Sequence, residues 1–294
     1  MRHIPVLLQE TLDGLKLRRG DSVLDATSGS GGHGEALLSH IGRSGTLICL
    51  DQDEDALARS RLQLDPLPGT KKFVHGNFRD LAQLLSTEGI TEIDAALFDL
   101  GMSSEQLEES GRGFSFLKDE PLLMTMQKGA TLSAKDLLAT LSESQLMDIL
   151  KSYGEEQFAQ KIAHGIVTAR KENPIESTTA LVRIIKESTP PWYSKRRIHP
   201  ATKSFQALRI AVNDEYSAID EGLESAFTLL KPGGNIAVIS FHGGEVRHVK
   251  SFFRHFKERS LTRVNKHAIK PSRTEMRENP RARSAQLFIF KKAI

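Results

Sequence analysis

Between Asp25 and Gly34 the chain reads Asp-Ala-Thr-Ser-Gly-Ser-Gly-Gly-His-Gly, directly after the apolar pair Val23-Leu24, and Asp51 closes a second apolar run, Thr46 to Leu50. A strand, a glycine-rich turn into a helix and an acid at the tip of the next strand can hold a nucleoside. The glycines let a ligand approach the backbone, and a carboxylate about 20 residues further on can accept both hydroxyls of a ribose. Gly29, Gly31 and Gly34 also satisfy the G-x-G-x-x-G pattern of nicotinamide dinucleotide sites. Dinucleotides and S-adenosylmethionine share that ribose, so Asp51 does not separate them. Asp99 ends a third apolar run, Ile93 to Leu97, where polar groups reach the crevice in which open α/β sheets bind substrates. A carboxylate there can accept a hydrogen bond from an amine and orient its lone pair toward an electrophile.

The elements that must position these groups follow from hydropathy. Strand-like runs at Ser22–Asp25, Thr46–Asp51, Lys72–His75 and Ile93–Asp99 alternate with helical patterns at about 32–41 and 56–62, the rhythm of a parallel sheet with crossover helices. From about Ser103 to Pro200 the signals are helical. Ser133 with Asp136 and Ser142 with Gln145 spell capping boxes, Gly154 is a helix stop, and Phe158, Ile162, Ile166 and Ala169 share a helical face before Pro190-Pro191 breaks the pattern. One long helix carrying Val212, Tyr216, Ile219, Leu223, Phe227 and Leu230 is then expected. Lys231-Pro232-Gly233-Gly234 turns it into a strand over 235–241, and a last strand spans 286–290.

Within the run His199 to Glu215, Gln206, Arg209 and Asn213 share one helix face, which suits either a wall of a polar pocket or hydrogen bonding at a domain junction. Arg112-Gly113-Phe114-Ser115-Phe116 combines a cation with aromatics, suited either to stacking on a base or to a core. His33 and His242 lack metal-ligand spacing, so no catalytic metal is expected. Cys49, the only cysteine, excludes an internal disulfide and reads as strand packing.

The net charge of +3 hides an asymmetry. From Arg247 onward 14 Lys and Arg face 3 Asp and Glu, leaving 26 basic and 34 acidic residues elsewhere. Such a block suits either a nucleic-acid footprint or a solvated basic end. No run approaches the roughly 18 apolar residues of a membrane span and no signal-peptide layout opens the chain, so a cytoplasmic protein without membrane contact is expected.

Several stretches together resemble one family. They are His3 to Glu10, the Asp25–His33 turn, Leu100-Gly-Met-Ser-Ser-Glu-Gln106, Arg112–Phe116, Tyr153-Gly-Glu-Glu156, His199–Glu215, Ser240-Phe241-His242 and Asn279-Pro-Arg-Ala-Arg-Ser-Ala285. With the late Lys-Pro-Gly-Gly strand, they are similar to the MraW-type ribosomal RNA small-subunit (cytosine-N(4)) methyltransferases. The resemblance implies S-adenosylmethionine as cofactor, methylation of the exocyclic 4-amino group of a decoding-centre cytosine, and 16S ribosomal RNA in the small subunit as partner; it leaves a homodimer open. It implies an α/β fold: a Rossmann-like class I methyltransferase sheet, seven-stranded with its last strand antiparallel, in residues 1–103 and 201–294, interrupted by an all-helical substrate-recognition domain in 104–200. Carried over by position, the cofactor contacts are Gly31, Gly32, His33, Asp51, Phe78, Asp99 and Gln106, with Asp99 also placed to position the amine. Contacts to RNA are expected from Ser103, Ser104, Arg112, Phe114, His199, Arg209, Asn213, His242 and Arg247.

Two segments depart from the family pattern. Pro-Leu-Asp-Met-Arg-Met becomes Pro121-Leu-Leu-Met-Thr-Met126, and Phe-His-Ser-Leu-Glu-Asp-Arg becomes Phe241-His-Gly-Gly-Glu-Val-Arg247. A relative that keeps the fold and binds ribosomal RNA without this reaction, or methylates another nucleotide, is therefore the second reading; a nicotinamide-dependent oxidoreductase, resting on the glycines alone, is the third. Calorimetric titration separates donor from dinucleotide. Saturable heat with S-adenosylmethionine and none with nicotinamide dinucleotides is expected, and the reverse would restore the oxidoreductase.

Overall fold

The computed structural model describes residues 4–294. His3, at the start of the His3–Glu10 motif, and the side chain of Ser104 lie outside the described residues. The chain divides into two compact units, Met1–Gly101 with Tyr216–Ile294, and Met102–Glu215.

In the first unit the elements run α1 (Leu8–Leu15), β1 (Ser22–Asp25), α2 (Gly32–Ile41), β2 (Thr46–Asp51), α3 (Glu54–Leu64), β3 (Thr70–His75), α4 (Leu81–Thr87) and β4 (Ile93–Asp99). Among the described residues, seven strands form one sheet in the order β3-β2-β1-β4-β5-β7-β6, where β5 is Leu230–Ser240, β6 Leu261–Arg263 and β7 Gln286–Lys292. Strands β1 to β5 pair in parallel, whereas β7 runs antiparallel to both β5 and β6. The direction of winding reverses between β1 and β4, which puts the ends of those strands at the topological switch point. The inner strands are buried almost without interruption, Val23, Leu24, Leu47 to Leu50 and Ala95 to Phe98 being at most 1 % exposed, as a sheet covered on both faces requires. Helix α1 closes part of that cover: Asn235 Nδ2 donates to the Leu15 carbonyl at 3.0 Å.

The second unit is helical: α5 (Ser104–Glu108), α6 (Ala134–Thr140), α7 (Glu143–Gly154), α8 (Ala159–Ala169), α9 (Thr178–Ser188) and α10 (Thr202–Asn213). Both expected capping boxes form, with Ser133 and Asp136 opening α6 and Ser142 and Gln145 opening α7. Helix α7 stops at Gly154, where Glu155 turns left-handed with φ 50°. Ile162 and Ile166 point from α8 into a core shared with Leu146, Leu150, Ile184 and Leu208.

Three sequence expectations are corrected. The single long helix is two, α10 and α11 (Glu215–Leu229), because Asp214 adopts φ 46°, a left-handed conformation that a short polar side chain tolerates better than most. The second junction between units therefore falls after Glu215 instead of at 200/201, since α10 packs on α7 within the helical unit. Lys231 to Gly234 do not precede β5 but form a bulge inside it: Ile93 pairs with Leu230, and the next pair is Ala95 with Asn235. Lys231 Nζ clamps the Asp94 carboxylate at 2.9 Å and 3.0 Å, and a Cβ on Gly234 would sit 2.6 Å from the Asp94 carbonyl oxygen. The three-residue β6 has too few apolar positions to show periodicity. Helices α12 (Gly243–Phe256) and α13 (Arg273–Glu278) complete the first unit, and no helix among the described residues is long and apolar enough to cross a membrane.

Gly154 tests the packing of α7 on α10. Alanine normally favours a helix interior by roughly 0.5–1 kcal/mol over glycine. Here its Cβ would stand 2.5 Å from the Lys203 carbonyl oxygen. Gly154→Ala is expected to destabilise the full chain by about 1–3 kcal/mol in chemical denaturation, the cost of overpacking; a gain in stability would contradict this helix contact.

Candidate active site

Strand β1 delivers Asp25 to the switch point, and the turn after it is fixed by the neighbouring strands. Gly29 and Gly31 take φ values of 53° and 86°, and Gly31 opens α2. A Cβ on Gly31 would meet Ser60 and Leu64 of α3 at 3.2–3.3 Å, so glycine lets the turn lie against that helix. Below it the Ser28 and Ser60 hydroxyls sit 2.7 Å apart. The carboxylate of Asp51 binds the turn from β2: its two oxygens accept the N–H groups of Gly29 and Asp53, both at 2.9 Å. Asp99, ending β4, donates its N–H to Thr27 Oγ1 at 2.7 Å, and the Thr27 N–H reaches Asp25 Oδ1 at 3.3 Å. Strand ends β1, β2 and β4 are thereby locked through one loop.

Within this lock lie polar atoms that the protein does not satisfy. Asp25 Oδ2, Ser30 Oγ, both ring nitrogens of His33 and Asp99 Oδ1 are buried atoms without a hydrogen-bond partner among the described residues. His33 Nε2 faces Asp99 Oδ2 at 3.5 Å. Burial raises Asp25 from 3.8 to about 7 and Asp51 from 3.8 to about 6. Burial opposes the charge on His33, yet the Asp99 and Asp25 carboxylates outweigh it and hold the imidazole above its usual pKa. Buried polar atoms of this kind are costly unless a ligand satisfies them. Each Asp51 oxygen has used one acceptor site, and a carboxylate offers about four, so ribose hydroxyls can still be accepted. The donor set fits a cationic nucleoside.

Among the residues expected at the cofactor, Gly31, Gly32, His33, Asp51, Phe78 and Asp99 all fall in the first unit, at the ends of β1, β2 and β4 and just after β3. Phe78 lies in a 3-10 turn capped by Asn77, partly buried, with its ring edge-on to Phe98 at 5.7 Å. Gln106 belongs to the helical unit, where it closes a capping box with Ser103: the Ser103 N–H reaches Gln106 Oε1, and the Gln106 N–H reaches Ser103 Oγ, both at 3.1 Å.

The structure gives several expected RNA contacts internal tasks. Arg112 is buried and donates to the carbonyls of Thr125 (2.9 Å) and Met126 (2.6 Å), and Phe114 belongs to the helical core, so this pair does not offer a base an exposed stacking face. Asn213 accepts the Met126 N–H and donates to the Met124 carbonyl, each at 2.8 Å, while Arg209 makes a bidentate pair with Glu215 at 2.7 Å and 2.8 Å. They brace the helical unit instead of lining a polar wall. The ring of His199 is stacked on Phe116 at 4.5 Å. His242 caps α12 and lies 3.0 Å from Glu245, whereas Arg247 is exposed on the same helix.

Asp25 is the residue that sequence reasoning underused. An acid directly after the apolar pair Val23-Leu24 is a signal, since acids are almost never buried unless paired.

The family model described as the MraW methylase family matches residues 1–293. The chain belongs to the MraW methylase family. Among its relatives, "Ribosomal RNA small subunit methyltransferase H" of Paenibacillus sp. (strain JDR-2) is 41% identical over 313 residues, covering 99% of each chain. The proteins of the same name from Citrifermentans bemidjiense and Streptococcus mutans are 43% and 42% identical, covering 99% of this chain and 98% and 97% of their own. Family membership removes the oxidoreductase reading of Gly29, Gly31 and Gly34.

The raised carboxylates set a pH signature. The native state holds protons on Asp25 and Asp51 that the unfolded chain releases near 3.8, so the contribution of these two groups to stability is full below about 4 and is lost as pH rises to about 7. The His33 contribution is lost at higher pH, above 6.5. Asp25→Asn should flatten the decline between pH 4 and 7 in denaturation midpoints of the ligand-free protein; an unchanged slope would show that Asp25 is not the buried acid.

Proposed function

We propose that this protein transfers a methyl group from S-adenosylmethionine to the exocyclic 4-amino group of a decoding-centre cytosine in small-subunit ribosomal RNA. The observation that carries the reading is the set of acids at the β1–β4 switch point, Asp25 buried and Asp51 and Asp99 half-buried, around the glycine turn and His33. The names of the relatives support small-subunit ribosomal RNA as the substrate.

Bound there, S-adenosylmethionine supplies an already reactive electrophile, a methyl on a cationic sulfur, so the protein's contribution is positioning and charge. Asp51 would accept the ribose hydroxyls, the turn at Gly29 to Gly32 would let the nucleoside approach the backbone, and Phe78 would pack near the adenine. Asp25 supplies negative charge for the sulfonium. Asp99 uses Oδ1, which no described residue satisfies, to accept a hydrogen bond from the target amine and to hold the proton that the amine sheds. His33, 3.5 Å from the other oxygen, keeps that carboxylate in place. The base must leave its stack to present its amino edge. Exposed cations from Arg247 onward, among them Lys250, Arg254, Arg273, Arg277 and Arg281, supply a field for the RNA backbone.

Both departed segments are accommodated by the fold. Met124, with φ 55°, is held through its N–H to the Arg112 carbonyl at 2.7 Å, so Leu123 and Thr125 replace side chains while backbone contacts hold the segment. At the other, a Cβ on Gly244 would meet the Tyr216 hydroxyl at 1.7 Å, so the tyrosine fills the space a larger residue would take.

Incubation with labelled S-adenosylmethionine and small subunits from a strain lacking the endogenous enzyme should place label on cytosine N4, and Asp99→Asn should lower kcat by roughly 10²-fold or more. Absence of label, or label confined to another base, would refute the assignment.

A further inference from the structure

Trp192, the only tryptophan in the chain, is 50 % exposed on the helical unit. Its setting is rigid. Pro190 and Pro191 fix the backbone before it, and the next residue, Tyr193, is buried and donates its hydroxyl to Glu156 Oε2 at 2.7 Å. The other oxygen of Glu156 accepts the Phe158 N–H at 2.9 Å, which ties the turn to the start of α8. Phe158 packs edge-on against both rings, at 5.8 Å from Trp192 and 5.0 Å from Tyr193. The indole is thus held in an aromatic corner while half of it faces solvent.

Cations surround that exposed surface. Lys195, Arg196 and Arg197 are all exposed, and no acid stands between Trp192 and His199. The Arg196 guanidinium already stacks over one face of the Trp192 ring, 4.8 Å from its centroid and 5.4 Å from that of Tyr193, so a base would use the opposite face or displace it, and Lys161 lies over Phe158 at 6.0 Å. An exposed aromatic beside successive cations is the chemistry of single-stranded nucleic-acid binding: the π-face takes an unpaired base and the cations take phosphates.

We infer that Trp192 with Lys195, Arg196 and Arg197 forms a docking platform for single-stranded RNA, with an unpaired base stacked on the indole and adjacent phosphates on the cations. This deepens the RNA reading above and rests on it. The platform needs no part of the Asp25–Asp99 site, so substrate affinity and methyl transfer are separable.

The lone tryptophan is its own reporter. Titrating the full chain with an unstructured RNA of about 10 nucleotides should quench indole emission saturably, and raising salt should reverse it. With end-labelled RNA followed by anisotropy, Trp192→Ala should weaken binding about 10-fold and Trp192→Phe should largely restore it. Arg196→Glu combined with Arg197→Glu should abolish it. Calorimetry with S-adenosylmethionine should give wild-type heats for each variant, showing that the fold is kept, and Trp192→Ala should raise KM for the subunit with kcat little changed. RNA binding that leaves the emission and the Trp192→Ala affinity unchanged would overturn the platform. So would quenching by polyglutamate but not by RNA, which would assign the surface to an acidic protein. If RNA quenches yet no methyl is transferred, the catalytic reading fails and the platform stands.

Discussion

The Asp51 carboxylate holds together the carboxyl edge of the sheet. By accepting the Gly29 and Asp53 N–H groups at 2.9 Å it fixes the turn after β1 from the end of β2 and leaves its remaining acceptor sites for a ribose. The turn in turn presents Thr27, whose hydroxyl takes the Asp99 N–H and so sets where β4 ends its acid. These contacts tie three strand ends together above a ladder and a core that are already closed. A loop held only by its own glycines would wander. Held by the Asp51 carboxylate, it can keep several charged groups in one small space.

Holding them there is unfavourable in the empty protein. Asp25 has one oxygen without a hydrogen-bond partner among the described residues, and burial pushes its pKa up to about 7, so at neutral pH burial and the neighbouring acids oppose its ionisation. His33 offsets part of this, drawn toward its charged form by Asp99 and Asp25. Such unfavourable burial is common where function demands it, and it is relieved by a ligand of the complementary sign. A sulfonium nucleoside has that sign and the hydroxyls that Asp51 can accept. A nicotinamide dinucleotide would add phosphates to a site already crowded with carboxylates.

Much of this was legible from residue types. The alternation of apolar runs placed β1 to β4, and the Ser133 and Ser142 boxes placed α6 and α7, because strand burial and capping are local physics. Asp51 and Asp99 were legible as acids on strand ends. What escaped depends on contacts distant in sequence. Asp214 breaks a continuous apolar stripe by adopting φ 46°, which the stripe itself could not reveal. Lys231 to Gly234 looks like a turn and is a bulge, because Asp94 lies opposite it. Arg112 and Asn213 have the chemistry of RNA contacts, but the carbonyls and N–H of residues 124–126 use that chemistry inside the fold. Gly244 reads as a loss until Tyr216 is seen to occupy the same space.

The central claim is that buried, partly protonated acids at the switch point are relieved by a cationic nucleoside. Proton linkage measures this directly. Binding of S-adenosylmethionine is followed calorimetrically at about pH 6.5, midway between the values for Asp51 and Asp25, in buffers of differing ionisation enthalpy. The account predicts net proton release on binding, diminished in Asp25→Asn, as the sulfonium draws the acids into their ionised forms. Heats independent of the buffer, or net proton uptake, would contradict it.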